Sequence, residues 1–385
     1  MSSPTVYSVA GYGEMILNEP RMAAFDAALR QAVTPGCTVI DIGAGTGIFC
    51  LLACKYGAAH VVAIEPADGV LLLRDMARAN GFNDRITILQ GLSTDYRPEQ
   101  PADVIISDLR GTLPLFEHHI ATIVDARDRL LRPGGTLIPI SDRICGALVQ
   151  SEDCGKYVEQ PWKTNSFGLD LSAGHRFAAN HSQKTYLKPE ALASSTQDIA
   201  VLDYRTITDP NLKAKTVFRP NRKVTPNGLL IWFDMTTAEG IGFSNAPGQP
   251  ELVYGQTFLP FETLQSVGPE DRIEVTLSAT LINGSYEWSW FSDIFMGTDE
   301  RPVARMRQSG FKSHVLSPAR LTVKSNAHVP QRSAKHELDS FILSQIDGKR
   351  PIREIADALS ARFGDQIETP QKAHDLVAAL IGRYE

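Results

Sequence analysis

Cysteine is scarce and unpatterned in this sequence. Five occur in 385 residues, an odd number with no Cys-x-x-Cys pair. That argues against a disulfide framework or a cysteine-built zinc site and for reduced thiols in a cytoplasmic protein; no metal site is expected. Long apolar runs are also missing. No stretch approaches the roughly 18 apolar residues needed to cross a bilayer, so no membrane span is expected. The opening MSSPTVYSVAGYGEM lacks the basic and apolar regions of a secretory signal. Basic charge is not in excess: 38 Lys and Arg stand against 44 Asp and Glu, a formal charge of −6. Nothing in that balance points to nucleic acid or an anionic membrane, whereas a mildly acidic surface suits a basic peptide. There is no internal repeat or low-complexity tract. What remains is an ordinary globular balance, 43% hydrophobic and 21% charged, in a chain long enough for two or three domains.

The first stretch alternates strands with helices. Residues 20–33 have helical spacing and stop at the turn Thr34-Pro35-Gly36. CTVIDIGAGTGIFCLLACKYGA then reads as strand, glycine turn and helix, with Cys50 and Cys54 one helical turn apart as packing residues. HVVAIE (60–65), ITILQG (86–91) and ADVIISD (102–108) are further buried strands, GVLLLRDMARANG (69–81) is a helix closed by glycine, and a helix through 117–131 leads into RPGGTLIPI. Alternation of this kind makes a parallel sheet, so residues 1–139 are expected to form an α/β Rossmann-like domain. From 140 to 300 the texture turns to β-rich segments between Gly, Pro and Asn turns, which predicts an antiparallel β-barrel or sandwich. Residues 301–335 read as an extended linker, and 336–385 as a small helical module.

DIGAGTG places Gly43, Gly45 and Gly47 directly after a strand, where missing side chains let the backbone turn sharply and approach a ligand. A dinucleotide fingerprint would want glycine where Ile48 stands. S-adenosylmethionine, whose transfer product is S-adenosylhomocysteine, has no pyrophosphate and does not need that spacing. Asp41 opens the motif, and Glu65 ends the second strand, where a carboxylate can accept two hydrogen bonds from a ribose diol.

With these motifs in place, residues of about 7–300 resemble the protein arginine methyltransferases. YGEMILNEPR looks like the segment that closes over the cofactor in that family; the match implies that Arg21 pairs with the methionine carboxylate and that Tyr12 and Met15 flank it. ARDRLLRPGGTLIP, FGLDLS, LLIWFDM and GFSNAP follow the order of the family's barrel segments. Residues 173–192 correspond to its dimerisation arm, implying a homodimer. SDLRGTLPLFE is similar to its double-acid hairpin, with Asp108 and Glu117 on the acidic positions. The chemistry suits acids there. A guanidinium keeps its proton, with a pKa above about 12, so two carboxylates can grip it, aim one nitrogen at the sulfonium methyl and stabilise the cation.

Several residues depart from the family pattern. Asp108 is one methylene shorter than glutamate, and Arg110 adds a fixed cation that can pair with Asp108 or Glu117 and repel a substrate arginine. Leu252-Val253-Tyr254 replaces the family's Thr-His-Trp loop, and Ser93 stands nearest its adenine-contacting glutamate. His118, with Tyr254 and Arg110, is a candidate substrate contact, although a histidine pair opening a helix is more often solvated or packed. Trp288 and Trp290 alternate on a strand-like run as core or interface residues.

ILSQIDGKRPIREIADALSARFG is similar to the small winged-helix-like PqqD proteins, which bind leader peptides. The expected function is methyl transfer to a peptide or protein side-chain nitrogen, arginine first, with a leader segment as a possible partner of residues 336–385. The alternatives are another acceptor, such as a carboxylate drawn by Arg110, an imidazole or a small molecule, and a non-catalytic binding protein on the same scaffold.

Overall fold

The computed structural model describes residues 7–332 and 334–384. The chain divides into two units, Met1–Val315 and Leu316–Glu385.

The first unit begins with α1 (Val9–Leu17), α2 (Glu19–Ala32), β1 (Thr38–Ile42), α3 (Ile48–Lys55), β2 (His60–Ile64), α4 (Leu71–Ala79), β3 (Ile86–Leu89), β4 (Ala102–Ser107), α5 (His119–Asp125) and β5 (Leu131–Ile138). The five strands pair in parallel in the order β3-β2-β1-β4-β5. β1, β2 and β4 are near-continuous apolar runs because helices cover both sheet faces. Phe25, Phe49 and Cys50 pack on one side, and Ile40, Ile105, Ile120 and Ile123 on the other. Cys50 and Cys54 are both buried in α3, as their spacing predicts. The strand order reverses between β1 and β4. In a sheet of this type, ligands bind in the crevice at the carboxyl ends of the strands flanking that reversal.

The same unit continues with β6 (Ser141–Val149), α6 (Glu152–Lys163), α7 (His175–Ala178), β7 (Gln183–Thr185), β8 (Gln197–Asp203), β9 (Leu212–Phe218), β10 (Gly228–Ala238), β11 (Ile241–Ser244), β12 (Gln256–Pro260), β13 (Arg272–Ile282), β14 (Ser285–Phe295) and β15 (Ala304–Ser309). The expected barrel is built as two antiparallel sheets, β7-β12-β10-β6-β8 and β15-β14-β13-β9. Phe218, Leu229, Ile231, Val275, Leu277 and Trp290 make its core. Trp290 is fully buried and its indole N–H donates to the Pro260 carbonyl at 2.8 Å, while Trp288 is half-buried.

One boundary differs from expectation. β15 falls inside the stretch read as linker. Its inward residues are Ala304, Met306 and Gln308, and Arg305 and Arg307 face outward. With only a small alanine and one methionine as apolar residues turned inward, the strand carries little hydrophobic signal, and Gln308 is held by hydrogen bonds to the Ala179 and Pro260 carbonyls. Within the stretch matched to a dimerisation arm at 173–192, residues 183–185 belong to a sheet, paired with β12.

The second unit holds α8 (Pro318–Val323), α9 (Ala334–Gln345), α10 (Ile352–Phe363) and α11 (Pro370–Ile381) around Ile342, Ile355, Leu359, Val377 and Leu380. Asp347 accepts the amides of Lys349 and Arg350, both at 2.9 Å, and fixes the turn before α10. Thr369 caps α11 by accepting from the Lys372 amide at 3.2 Å, with Pro370 at the first position. The described residues of this unit form helices and no strand, so a winged-helix sheet is absent from them. Among the described residues, no helix is long and apolar enough to cross a membrane.

Candidate active site at the strand-order reversal

The loop after β1 takes its shape from glycine. Gly45 and Gly47 have φ of 54° and 85°, in the left-handed region that side chains disfavour. A Cβ on Gly45 would lie 2.6 Å from the Tyr12 ring, and one on Gly47 would lie 2.3 Å from Leu73. Tyr12, carried by α1, therefore rests directly on the loop. Glu65, just past β2, is the loop's other anchor. Its Oε2 accepts the Gly45 N–H at 3.0 Å and its Oε1 the Ala67 N–H at 2.9 Å. Each carboxylate oxygen has a second lone pair, so the pair can still receive the two hydroxyls of a ribose.

Asp41, on β1 beneath the loop, is fully buried. Its Oδ2 accepts from the Cys50 thiol at 3.2 Å, and Oδ1 has no hydrogen-bond partner among the described residues. Burial pushes its pKa up to about 7. An orphaned buried carboxylate oxygen next to a glycine loop fits the ammonium of an amino-acid-bearing cofactor. Ser93 is buried in the turn after β3, where its carbonyl accepts from Arg129 Nη2 at 2.8 Å.

Asp108, one residue beyond β4, is the centre of a buried ion cluster. Arg21 reaches its Oδ2 with Nε at 2.8 Å and Nη2 at 2.7 Å, and the Tyr254 hydroxyl donates to the same oxygen at 2.6 Å. Arg110 Nε lies 3.1 Å from Oδ1, while Arg110 Nη1 donates to Asp142 Oδ1 at 3.0 Å. The Tyr204 hydroxyl donates to Asp142 Oδ2, and the Arg110 guanidinium sits 5.4 Å from the centre of the Phe233 ring. Burial alone would raise the Asp108 pKa, but Arg21 and Arg110 hold it below the usual carboxylate range. Burial likewise opposes the charge on Arg21 and Arg110, and their ionised neighbours outweigh it. Met15 contributes its carbonyl, which accepts from Arg21 Nη1 at 3.2 Å.

Glu117 closes the hairpin in a strained conformation. It is one of two non-glycine residues with positive φ among those described, at 42°, a conformation that costs on the order of 1–3 kcal/mol for such residues. Phe116 packs across Gly111, where a Cβ would lie 2.6 Å from the ring. Strain of this kind persists where surrounding packing fixes it, and it concentrates at functional positions. Both Glu117 and Asp108 act on Tyr7, whose phenol is pushed up first by burial and then by these two charges. The histidine pair splits. His118 is exposed beside Gly284, at the β13–β14 turn, where a Cβ would lie 2.7 Å from its Nε2. His119 is buried, with Nδ1 2.6 Å from the Pro114 carbonyl, and burial pushes its pKa down to about 3, so it packs as a neutral ring.

The structure thus gathers Arg21, Asp108, Arg110 and Tyr254 in one cluster and places Tyr12, Asp41, Glu65 and the glycines around one loop. Sequence reasoning missed Asp142 and Tyr204. Asp142 and Tyr204 lie 32 and 94 residues beyond Arg110, and neither belongs to a local motif. The only advance signal was Arg110 itself, a cation that a buried hairpin must neutralise.

Comparison with known proteins agrees with this architecture. The family model for ribosomal protein L11 methyltransferase (PrmA) matches residues 26–142. A probable protein arginine N-methyltransferase 6 from Arabidopsis thaliana is 28% identical over 234 residues, which span 58% of this chain and about half, 53%, of that relative. Protein arginine N-methyltransferase 1 of Dictyostelium discoideum is 27% identical over 275 residues, 68% of this chain and 80% of the relative. Among solved structures, the Trypanosoma brucei PRMT1 enzyme-prozyme complex with AdoHcy superposes with a TM-score of 0.71 at 20% identity, covering 77% of this chain and 97% of that one. Arabidopsis protein arginine methyltransferase 10 gives 0.68 at 20% identity, covering 78% and 97%. The chain has a class I methyltransferase fold joined to an antiparallel β domain. Its relatives are protein arginine N-methyltransferases.

Proposed function

We propose that this chain is an S-adenosylmethionine-dependent methyltransferase acting on a side-chain nitrogen of a peptide or protein, with the arginine guanidinium as the favoured acceptor. The observation that carries the reading is the placement of Glu65, the glycine loop and Asp41 on one side of the strand-order reversal and Asp108 and Glu117 on the other. Glu65 would hold the ribose, Asp41 the ammonium and Arg21 the carboxylate of the cofactor, with Tyr12 and Met15 flanking them. When bound, the cofactor supplies an electrophilic sulfonium methyl. The chain's own contribution is to orient the acceptor nitrogen, shed water and stabilise cationic charge through its acids. Arg110 is fully buried between two carboxylates, which favours an internal counter-ion over a grip on an anionic substrate.

Calorimetry with S-adenosylhomocysteine, followed by mass spectrometry of arginine peptides incubated with S-adenosylmethionine, tests the reading. Glu65→Ala should weaken cofactor binding by about 1.5–3 kcal/mol, the range for charge-assisted hydrogen bonds. Unchanged affinity would remove Glu65 from the site.

The PqqD-like sequence of the second unit supports capture of a leader segment. Leu343 and Ile346 are exposed on or just beyond α9, a surface suited to an apolar peptide side chain. Capture by a tether supplies effective concentration rather than chemistry. Removing residues 336–385 should then raise the apparent KM for a leader-bearing precursor and leave a short core peptide nearly unaffected. Equal loss on both substrates, in a protein still folded, would refute capture. A homodimer is supported by the apolar side chains that α6 and the chain after it expose, with Tyr157, Phe167 and Leu169 all more than 60% accessible.

A further inference from the structure

The reading above leaves Asp108 and Glu117 as two acids at one site. Oδ2 of Asp108 is approached by three donors, Arg21 Nε, Arg21 Nη2 and the Tyr254 hydroxyl, all within 2.8 Å. One carboxylate oxygen offers about two lone-pair directions, so Oδ2 is saturated. Oδ1 faces Arg110 at 3.1 Å. An incoming guanidinium would have to displace Arg21 or Tyr254 to reach Oδ2, and at Oδ1, which accepts no hydrogen bond among the described residues, it would meet the like charge of Arg110.

The cluster is also neutral as a whole. Arg21 and Arg110 balance Asp108 and Asp142, and the four side chains are no more than 6% exposed. A cationic acceptor therefore gains little net attraction from Asp108. The far side of the cluster is locked from the β domain. Asp142, on β6, takes Arg110 on one oxygen and the Tyr204 hydroxyl on the other.

Arg21 shows where Asp108 does its work. A guanidinium has two bidentate edges, one through Nε and a terminal nitrogen and one through both terminal nitrogens. Asp108 takes Nε and Nη2. The other edge is turned toward α1, with Nη1 3.2 Å from the Met15 carbonyl, and α1 also carries Tyr12 over the glycine loop. Asp108 thus fixes which edge Arg21 presents to the cofactor side.

We propose that Asp108 is a cofactor-side positioning residue that orients Arg21, and that Arg110, Asp142 and Tyr204 hold it in that role and away from the acceptor. The acceptor nitrogen is then addressed by Glu117. This inference rests on the methyltransferase reading and departs from the two-acid grip that the resemblance implies.

The test separates cofactor from acceptor. Asp108→Asn keeps the shape and removes the charge. The dissociation constant for S-adenosylhomocysteine should rise at least about tenfold, the size of one charge-assisted hydrogen bond. At saturating S-adenosylmethionine, the KM for an arginine peptide that the wild type methylates should move less than about twofold. Tyr254→Phe, which removes one donor and no charge, should shift the cofactor constant in the same direction by a smaller factor and serves if the asparagine variant does not fold. A collapse in acceptor KM or turnover with unchanged cofactor affinity would restore the grip and overturn the proposal, as would no change in either. Wild-type protein that binds no S-adenosylhomocysteine would instead bring down the methyltransferase reading beneath it.

Discussion

Glu117→Gln should lower turnover by about 10²–10³, the usual consequence of removing one preorganised electrostatic group at a reacting centre, while S-adenosylhomocysteine affinity stays within about threefold. Glutamine preserves the outline and one acceptor oxygen but not the charge. A guanidinium remains protonated at any working pH, so its nitrogen needs an anion to orient it and to stabilise charge as the methyl arrives. Glu117 sits at the hairpin end in a left-handed conformation that only tight packing would sustain. Steady-state kinetics with an arginine peptide, paired with calorimetry for the cofactor, give the measurement. A variant as fast as wild type would remove the hairpin from the acceptor site.

The second large effect is on stability. Arg110→Met removes the cation shared by Asp108 and Asp142 and leaves Asp142 fully buried with only the Tyr204 hydroxyl against its charge. Breaking a buried pair from one side costs about 3–5 kcal/mol, because the remaining ion loses its compensation. Urea unfolding should show that loss. Adding Asp142→Asn should return a substantial part of it, since the orphaned charge is then gone. The double variant thereby distinguishes a charge effect from a packing effect, as methionine fills most of the space beside Phe233. If the single variant is as stable as wild type, the cluster is not the buried ionic centre described above.

Local pattern carried the fold far. Strand, glycine turn and helix in DIGAGTG, and the apolar runs of β1, β2 and β4, are properties of a few adjacent residues. They were legible because a doubly covered sheet demands them. β15 was not legible, because a strand with charged outward residues and an inward glutamine has little hydrophobic alternation to detect. The candidate site divides the same way. Glu65 and the glycines announce themselves by position after a strand. The partners of Arg110 come from elements that meet only in the folded chain, and no spacing rule connects Asp142 or Tyr204 to the hairpin. The sequence did pose the question they answer, since a cation inside a buried turn requires counter-ions from somewhere.

The ion cluster joins residues from both lobes of the first unit. Arg21, Asp108 and Arg110 belong to the α/β part, and Asp142, Tyr204 and Tyr254 to the β part. Thr237 of β10 also donates to the Ala24 carbonyl of α2. Swinging one lobe from the other would strip partners from four buried charges at once, a penalty far above thermal energy. The two lobes are therefore expected to melt together as one cooperative body, because their charged centre is shared between them.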